Sequence, residues 1–481
     1  MQHQIQANIS SPRKTWKPKY HFFKEGHWLN DPNGLFFADN KYHLFFQMNP
    51  DDTIWGNMHW GHAISEDFIS WQHLPTAIHA EPDGLGYIFS GGAIVDHQNS
   101  SGFGDENHAP IVATFTQHSK SEEQVQSIAY SLDGGESFNM FEHNPVIPNP
   151  GIKDFRDPKV VWFEAEEVWI KSVVAGQCVH FYRSDNLLSW TKLSEFGEDY
   201  GAHGGVWECP DLFPLVCEES GKEIWVLLIS INPGGPNGGS ATQYFLGDFD
   251  GRNFKPFDKQ IRWLDYGTDC YAGITWDNTP NIKHERILIA WMSNWLYAND
   301  TPDNSWRGAM TLPRKLSLLK TDEKFVLRCF PAVSFTSKLK NEVNISDLKK
   351  PISVPEAYSI HFTLGKNKDV STLTWTNDLN EQFTLTLDLA SNQILADRTK
   401  AGFIEKGFAS VAAMPLELIE GENVKIDIFV DTCSVELFVN NGASCLTMLL
   451  FPSLDFNRLT VNGSVSNSNS NIDGLNLRII D

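Results

Sequence analysis

The sequence has no run of eighteen apolar residues, so no transmembrane helix is expected. It is poor in positive charge. Thirty-eight Lys and Arg against 60 Asp and Glu leave a formal net charge of −22, which argues against nucleic acid or an anionic membrane surface as a partner. The seven cysteines are odd in number and show no C-x-x-C spacing, so they read as mostly free thiols. The opening MQHQIQANISSPRKTWKPKY has no apolar h-region. The chain as it stands is therefore expected to stay in the cytoplasm, and to be secreted only if the sequence is a mature form. The N-x-S/T tripeptides at Asn8, Asn99, Asn344 and Asn462 are short enough to arise by chance. Long stretches of 3.6-residue periodicity are also missing, which excludes a helical protein.

Short β-rich runs between turn signals are present instead, such as KYHLFFQM (41–48), VWIKSVVAG (168–176) and EIWVLLISI (223–231). A chain of 481 residues exceeds what one core usually supports, so two domains are expected. A weak internal repeat organises the first part: SEDFISW (65–71) returns as SLDGGESF (131–138), SDNLLSW (184–190) and GDFDGRNF (247–254). Its closing aromatics Trp71, Phe138, Trp190 and Phe254 lie 52 to 67 residues apart, an interval suited to one four-stranded propeller blade. Each group opens on a recognisable segment: NDPNGLFF, FSGGAIVD, FRDPKVVWF and WECPDLFPL, with DCYAGITW as a fifth. The expected architecture is a five-bladed β-propeller over 1–325, a charged linker with one short helix over 326–356, and a β-sandwich over 357–481. SVSNSNSNIDG (464–474) reads as a polar loop between the last strands.

Three openers carry a carboxylate near their start: Asp31, Asp157 and Glu208. The first strand of a propeller blade lines the central channel, so these acids can meet at one mouth. Converging carboxylates suit glycosidic cleavage, one protonating the leaving oxygen and another attacking or stabilising the sugar cation. Such a pair works when environments push its pKa values apart. Trp207 and Cys209 would favour a protonated Glu208, and Arg156 an ionised Asp157. Turn capping is the competing explanation for any one of the three taken alone. The Gly-rich NPGGPNGGS (232–240) lacks the ending of a P-loop and reads as a plain loop. His59 and His62 fall on opposite faces of a strand and make no metal pair.

In combination, WLNDPNG (28–34), FRDP (155–158) and WECPDLF (207–213) closely resemble the β-fructosidases of glycoside hydrolase family 32, which includes invertases, levanases and exo-inulinases. FFQMNP, WGNMHWGHAIS, ISINPGGPNGGS, WRGAMTLPRKL and VDTCSVELFVN extend the resemblance across both halves. It implies a propeller followed by a sandwich, and retaining hydrolysis. Asp31 would be the nucleophile, Glu208 the acid/base, and Asp157 the residue holding the fructose hydroxyls. Asn30, Gln47, Trp55, Phe89, Ser90 and Arg156 would line the fructosyl pocket, with Asp269 and Trp295 on its wall. Met48 and Cys270 stand where the family often has aromatics, which implies an altered leaving-group side.

The resulting expectation is an exo-acting β-fructosidase releasing terminal fructofuranosyl units from sucrose, inulin-type or levan-type chains. No metal or organic cofactor is implied, and a homodimer is left open. The loops look closer to levanases and exo-inulinases than to plant invertases. Rivals are a fructosyltransferase, an inverting arabinan- or xylan-active five-bladed enzyme, and a non-catalytic carbohydrate-binding protein. The sandwich could bind sugar, form dimer contacts or brace the propeller.

Overall fold

The computed structural model describes residues 15–105, 108–321, 324–337, 339–365, 370–405, 407–416, 423–463, 472 and 474–479. The protein is all-β. Among the described residues the only helices are the single turns Val333–Thr336 and Ala298–Asp300, and no helix is long and apolar enough to cross a membrane.

Five sheets of at least four strands follow one another up to Pro331. Their first strands are Trp28–Ala38, Tyr87–Val95, Phe155–Phe163, Val206–Val216 and Tyr271–Thr275. Each of these packs beside the next, and the fifth packs beside the first, so the five close a ring. The strand Trp306–Ala309 crosses back to lie between Phe23–Glu25 and Trp28–Ala38, tying the end of this region to its start. Sheets stacked against neighbours are covered on both faces, and their strands therefore read as continuous apolar runs. In Val168–Ala175 every residue is buried, Lys171 and Ser172 included.

The sequence repeat has a local cause. The Ser65 hydroxyl accepts the N–H groups of Asp67 and Phe68, and the Trp71 indole donates to the Phe68 carbonyl at 3.2 Å. Ser184, Leu187 and Trp190 repeat the arrangement. Phe68 and Leu187 both take positive φ, 66° and 63°, to make the turn. Each motif launches the outermost strand of its sheet, at Gln72 and at Thr191.

Beyond residue 339 two six-stranded antiparallel sheets share one apolar core containing Tyr358, Leu373, Trp375, Leu385 and Leu437. One sheet turns its other face outward, so strands such as Gln382–Asp388 alternate strictly between buried and half-exposed residues. The other sheet is covered on both faces, with Phe429, Phe438 and Cys445 packed among residues of the ring region. The stretch expected as a linker is largely ordered into sheets. Phe325–Pro331 completes the fifth sheet, Lys340–Ile345 pairs with Leu475–Ile479, and Ile352–Ser353 pairs with Arg458–Gly463. Its one short helix is Val333–Thr336. Of the polar loop 464–474, only residues 472 and 474 are among those described.

The two regions meet across buried charge. His21 lies between two carboxylates of the C-terminal sheets, Nδ1 on Asp431 at 2.8 Å and Nε2 on Glu436 at 2.7 Å. Arg314 bridges Asp265 and Glu436 and donates to Thr447. All these side chains are solvent-inaccessible or nearly so, a placement that charges tolerate only when paired. Burial alone would depress the His21 pKa, but the two carboxylates raise it to about 9. The Gly-rich loop belongs to the same seam: Asn237 donates to the Ala413 carbonyl and accepts its N–H.

Candidate active site

All five ring strands break register at one level. Three residues advance on the ring strand while its partner advances two, between Leu29 and Pro32, Ile88 and Gly91, Arg156 and Lys159, Glu208 and Asp211, and Tyr271 and Ile274. Such bulges re-aim side chains and are common beside active sites. Three of them place a non-glycine residue at positive φ: Asp157 at 62°, Cys209 at 48° and Ala272 at 55°. These backbones are costly for most side chains and persist only when their surroundings enforce them. Pro32, Pro158 and Pro210 stand in or beside the bulges, where no ladder N–H is needed. The chain thus turns Asn30–Asp31, Phe89–Ser90, Arg156–Asp157 and Glu208 toward one cavity.

That cavity has a volume of about 260 Å³ and is lined by Asn30, Asp31, Gln47, Trp55, Phe89, Ser90, Arg156, Asp157, Glu208 and Trp295, together with Met58, His118 and Gln124. Ten of the eleven residues singled out from the sequence therefore come together. Asp269 does not. Its side chain is fully buried, with its oxygens taken by Thr268, Tyr297, Arg398 and the Leu449 N–H. Met48 and Cys270 do not line the cavity; they lie in apolar clusters with Trp28 and Phe46 and with Phe335 and Phe438 respectively.

Asp31 and Glu208 sit in contrasting surroundings. Asp31 accepts the Ser90 hydroxyl at 2.6 Å and the Asn30 amide at 3.1 Å, and Asn30 is itself fixed by the Trp28 indole at 2.7 Å. Burial and the nearby Glu208 charge push the Asp31 pKa up to about 6, although these hydrogen bonds oppose the shift. Glu208 accepts Arg156 Nη2 at 2.8 Å and Nε at 3.2 Å on one oxygen, and the Tyr271 hydroxyl on the other. Arg156 is held in turn by Asp154 at 2.8 Å. Asp157 takes the Cys209 N–H at 3.0 Å, and burial raises its pKa despite the Arg156 charge 3.9 Å away. The Cys209 thiol lies 3.6 Å from Asp31 and 3.7 Å from Asp157, between the two carboxylates.

The walls are aromatic and partly unsatisfied. Trp295 stacks on Trp28 with centroids 5.8 Å apart, and Trp55, 45% exposed, stands edge-on to it at the rim. Phe89 stacks on His118 at 4.5 Å. Gln47 is buried, yet its amide nitrogen has no partner among the described residues, which leaves a donor for a bound molecule. A floor of acids, a free amide donor and flat aromatic walls suit a neutral polyhydroxylated ring.

Sequence reasoning missed Met58, His118, Gln124 and Tyr271. The signal for Tyr271 is present: DCYAGITW reads as a fifth opening strand, with a tyrosine where three of the other openers carry a carboxylate. His118 and Gln124 end and begin adjacent strands, Ile111–His118 and Gln124–Ser131. They reach the cavity only because the second sheet abuts the third, where Gln124 accepts the Phe155 N–H.

Known proteins resemble the chain over both regions. Residues 21–329 match the glycosyl hydrolases family 32 N-terminal domain, and residues 333–479 match the family 32 C-terminal domain. The levanase of Bacillus subtilis is 41% identical over 463 residues, covering 93% of this chain and 68% of its own. An extracellular exo-inulinase of Aspergillus awamori is 37% identical over 487 residues, covering 92% and 90%. The crystal structure of exo-inulinase from Aspergillus awamori superposes with a TM-score of 0.89 at 34% identity, covering 99% of both chains. A β-fructofuranosidase from Schwanniomyces occidentalis complexed with fructosyl-erythritol gives 0.87 at 31% identity, over 98% and 99%. Both family domains match in order and together span nearly the whole sequence, so the chain belongs to glycoside hydrolase family 32 and is a glycoside hydrolase.

Proposed function

We propose that the protein is a retaining exo-β-fructosidase that hydrolyses terminal β-D-fructofuranosyl residues of sucrose and of fructo-oligosaccharides or fructans. The five sheets closing a ring are read as the blades of a propeller over 1–325. The paired sheets over 357–481 are read as a sandwich, with 326–356 joining the two. The observation that carries the functional reading is the meeting of Asp31, Asp157 and Glu208, each at the bulge of a different ring strand, in one small cavity. Its volume lies below the roughly 300 Å³ at which drug-sized sites begin, which favours one terminal sugar over an internal stretch of chain.

In the first step Glu208 protonates the glycosidic oxygen while Asp31 attacks the anomeric carbon. The bond to the leaving sugar breaks as the fructosyl–Asp31 ester forms. In the second step Glu208, now ionised, takes a proton from water, whose oxygen attacks the ester and releases fructose and free Asp31. Asp157 holds ring hydroxyls and offsets the positive charge that develops at the anomeric carbon. Asn30, Gln47, Ser90 and Arg156 orient the ring, and Trp55, Phe89 and Trp295 provide its apolar contacts. The relatives named for levan, inulin and fructofuranosides support this substrate class.

The test is release of fructose from sucrose, short inulin oligomers and levan by the wild type and by Asp31→Ala. Wild-type release abolished in Asp31→Ala supports the reading, and equal rates would overturn the nucleophile assignment. Trisaccharides outweighing free fructose at high sucrose would make the protein a transferase instead.

A further inference from the structure

Arg398 lies in the C-terminal sheets, on the strand Gln393–Lys400, and is fully buried. Its guanidinium stacks on Phe408, 3.8 Å from the ring centroid, and donates to the Phe408 and Leu449 carbonyls. These contacts fix it within its own region. The remaining donors cross to the ring region: Nη1 reaches Asp269 and Nη2 reaches the Tyr297 hydroxyl, both at 2.8 Å. The Tyr297 hydroxyl donates to the other Asp269 oxygen at 2.7 Å, closing a three-membered cluster without solvent.

Both partners of Arg398 lead back to the cavity within two residues. Tyr297 ends the turn that carries Trp295, and Asn294 ties that turn down by donating to the Thr268 carbonyl at 2.7 Å. Asp269 begins the segment that carries Tyr271, whose hydroxyl bonds the Glu208 carboxylate. We infer that Arg398 is a positioning residue for the reaction, setting through Tyr297 the pocket wall at Trp295 and through Asp269 the Tyr271 hydroxyl on Glu208. The inference rests on the fructosidase reading above, and it gives the sandwich a defined part in catalysis beyond bracing. It also accounts for Asp269, which is anchored to the sandwich behind the wall that Trp295 forms.

Misplacing a catalytic contact by about 1 Å from a remote site can cost about a hundredfold in rate. The experiment compares Arg398→Met and Tyr297→Phe with His21→Gln, which breaks the same seam at a residue bonded to neither Asp269 nor Tyr297. Thermal melting is recorded with kcat and KM on sucrose and on an aryl β-fructofuranoside, whose acidic phenol leaves without protonation. For Arg398→Met and Tyr297→Phe, kcat/KM on sucrose is expected to fall about tenfold to a hundredfold. The loss on the aryl substrate should be smaller, because that substrate bypasses Glu208 as an acid. His21→Gln should melt earlier yet keep near wild-type kinetics. Wild-type kinetics in both Arg398→Met and Tyr297→Phe, or equal losses on both substrates in all three variants, would overturn the inference. Should Arg398→Met fail to fold, Tyr297→Phe decides alone. Should the wild type cleave none of these sugars, the functional reading fails. The positioning claim is then read from the 19F resonance of fluorotryptophan at position 295, assigned with Trp295→Phe. A shift in Tyr297→Phe supports the claim, and an unmoved resonance refutes it.

Discussion

At the scale of single residues, the two carboxylates proposed to react are told apart by what each accepts. Asp31 receives donors from a serine and an asparagine within a buried floor, and Glu208 receives an arginine and a tyrosine. Glu208→Gln should lower kcat on sucrose by about 10²–10⁴-fold, the usual contribution of a general acid. It should lose less on an aryl fructoside, and steady-state kinetics on both substrates checks this. In the proposed mechanism Asp31 must be ionised to attack, and its pKa is raised to about 6. The acid limb of kcat/KM should therefore rise with pH through about 6. Removing a hydrogen bond to the ionised form raises a carboxylate pKa, so Ser90→Ala should move that limb to higher pH by about one unit. A limb that stays put or moves to lower pH would refute the role given to Ser90.

At the scale of elements, the decisive feature is the common level of five bulges. The sequence shows where each ring strand begins, because N-D-P, F-S-G, R-D-P and E-C-P carry their own turn and proline chemistry. It does not show which side chains the extra residue turns inward. The resemblance places Asp269 on the wall, whereas Tyr271, two residues on and at the start of the bulge, is the residue that reaches Glu208. The same limit explains Met48 and Cys270, whose positions along the strand were legible but whose facing was not. The stretch 326–356 was read from its charge as a linker. Its strands Lys340–Ile345 and Ile352–Ser353 pair with Leu475–Ile479 and Arg458–Gly463, more than a hundred residues away, and composition carries no trace of such partners. Ala272 tests the bulge itself, being fully buried at φ 55° beside Tyr271. Ala272→Val puts a β-branched side chain into the left-handed region and should cost about 2–3 kcal/mol in chemical denaturation, with a fall in kcat. Ala272→Gly should keep both, because glycine adopts this backbone without strain.

At the scale of the whole molecule, two all-β regions are joined through buried ion pairs rather than through an apolar face alone. His21 shows what that arrangement implies for stability. Its folded pKa, about 9, lies above the ordinary 6.5, so its contribution is complete below pH 6.5 and is lost as pH rises through about 9. Thermal melting should therefore show Tm falling between pH 7 and 10. His21→Gln should be less stable at neutral pH, by about 3 kcal/mol for a broken buried pair, with a flatter alkaline profile. An unchanged alkaline profile in that variant would place the titration elsewhere. The two-region organisation was legible from the change of texture near residue 326. The seam was not, because Asp265, His21, Arg314 and Glu436 meet across 49 to 415 residues of sequence and resemble surface charges when read singly.

The central claim is that Asp31 forms a covalent fructosyl ester with Glu208 as acid/base. It is tested most directly by the configuration of the product formed on sucrose in aqueous methanol, read by NMR from methyl fructofuranoside, which does not mutarotate. Attack by Asp31 followed by methanol inverts the anomeric centre twice, so the account predicts the β-anomer. The α-anomer, formed by a single displacement, would contradict it.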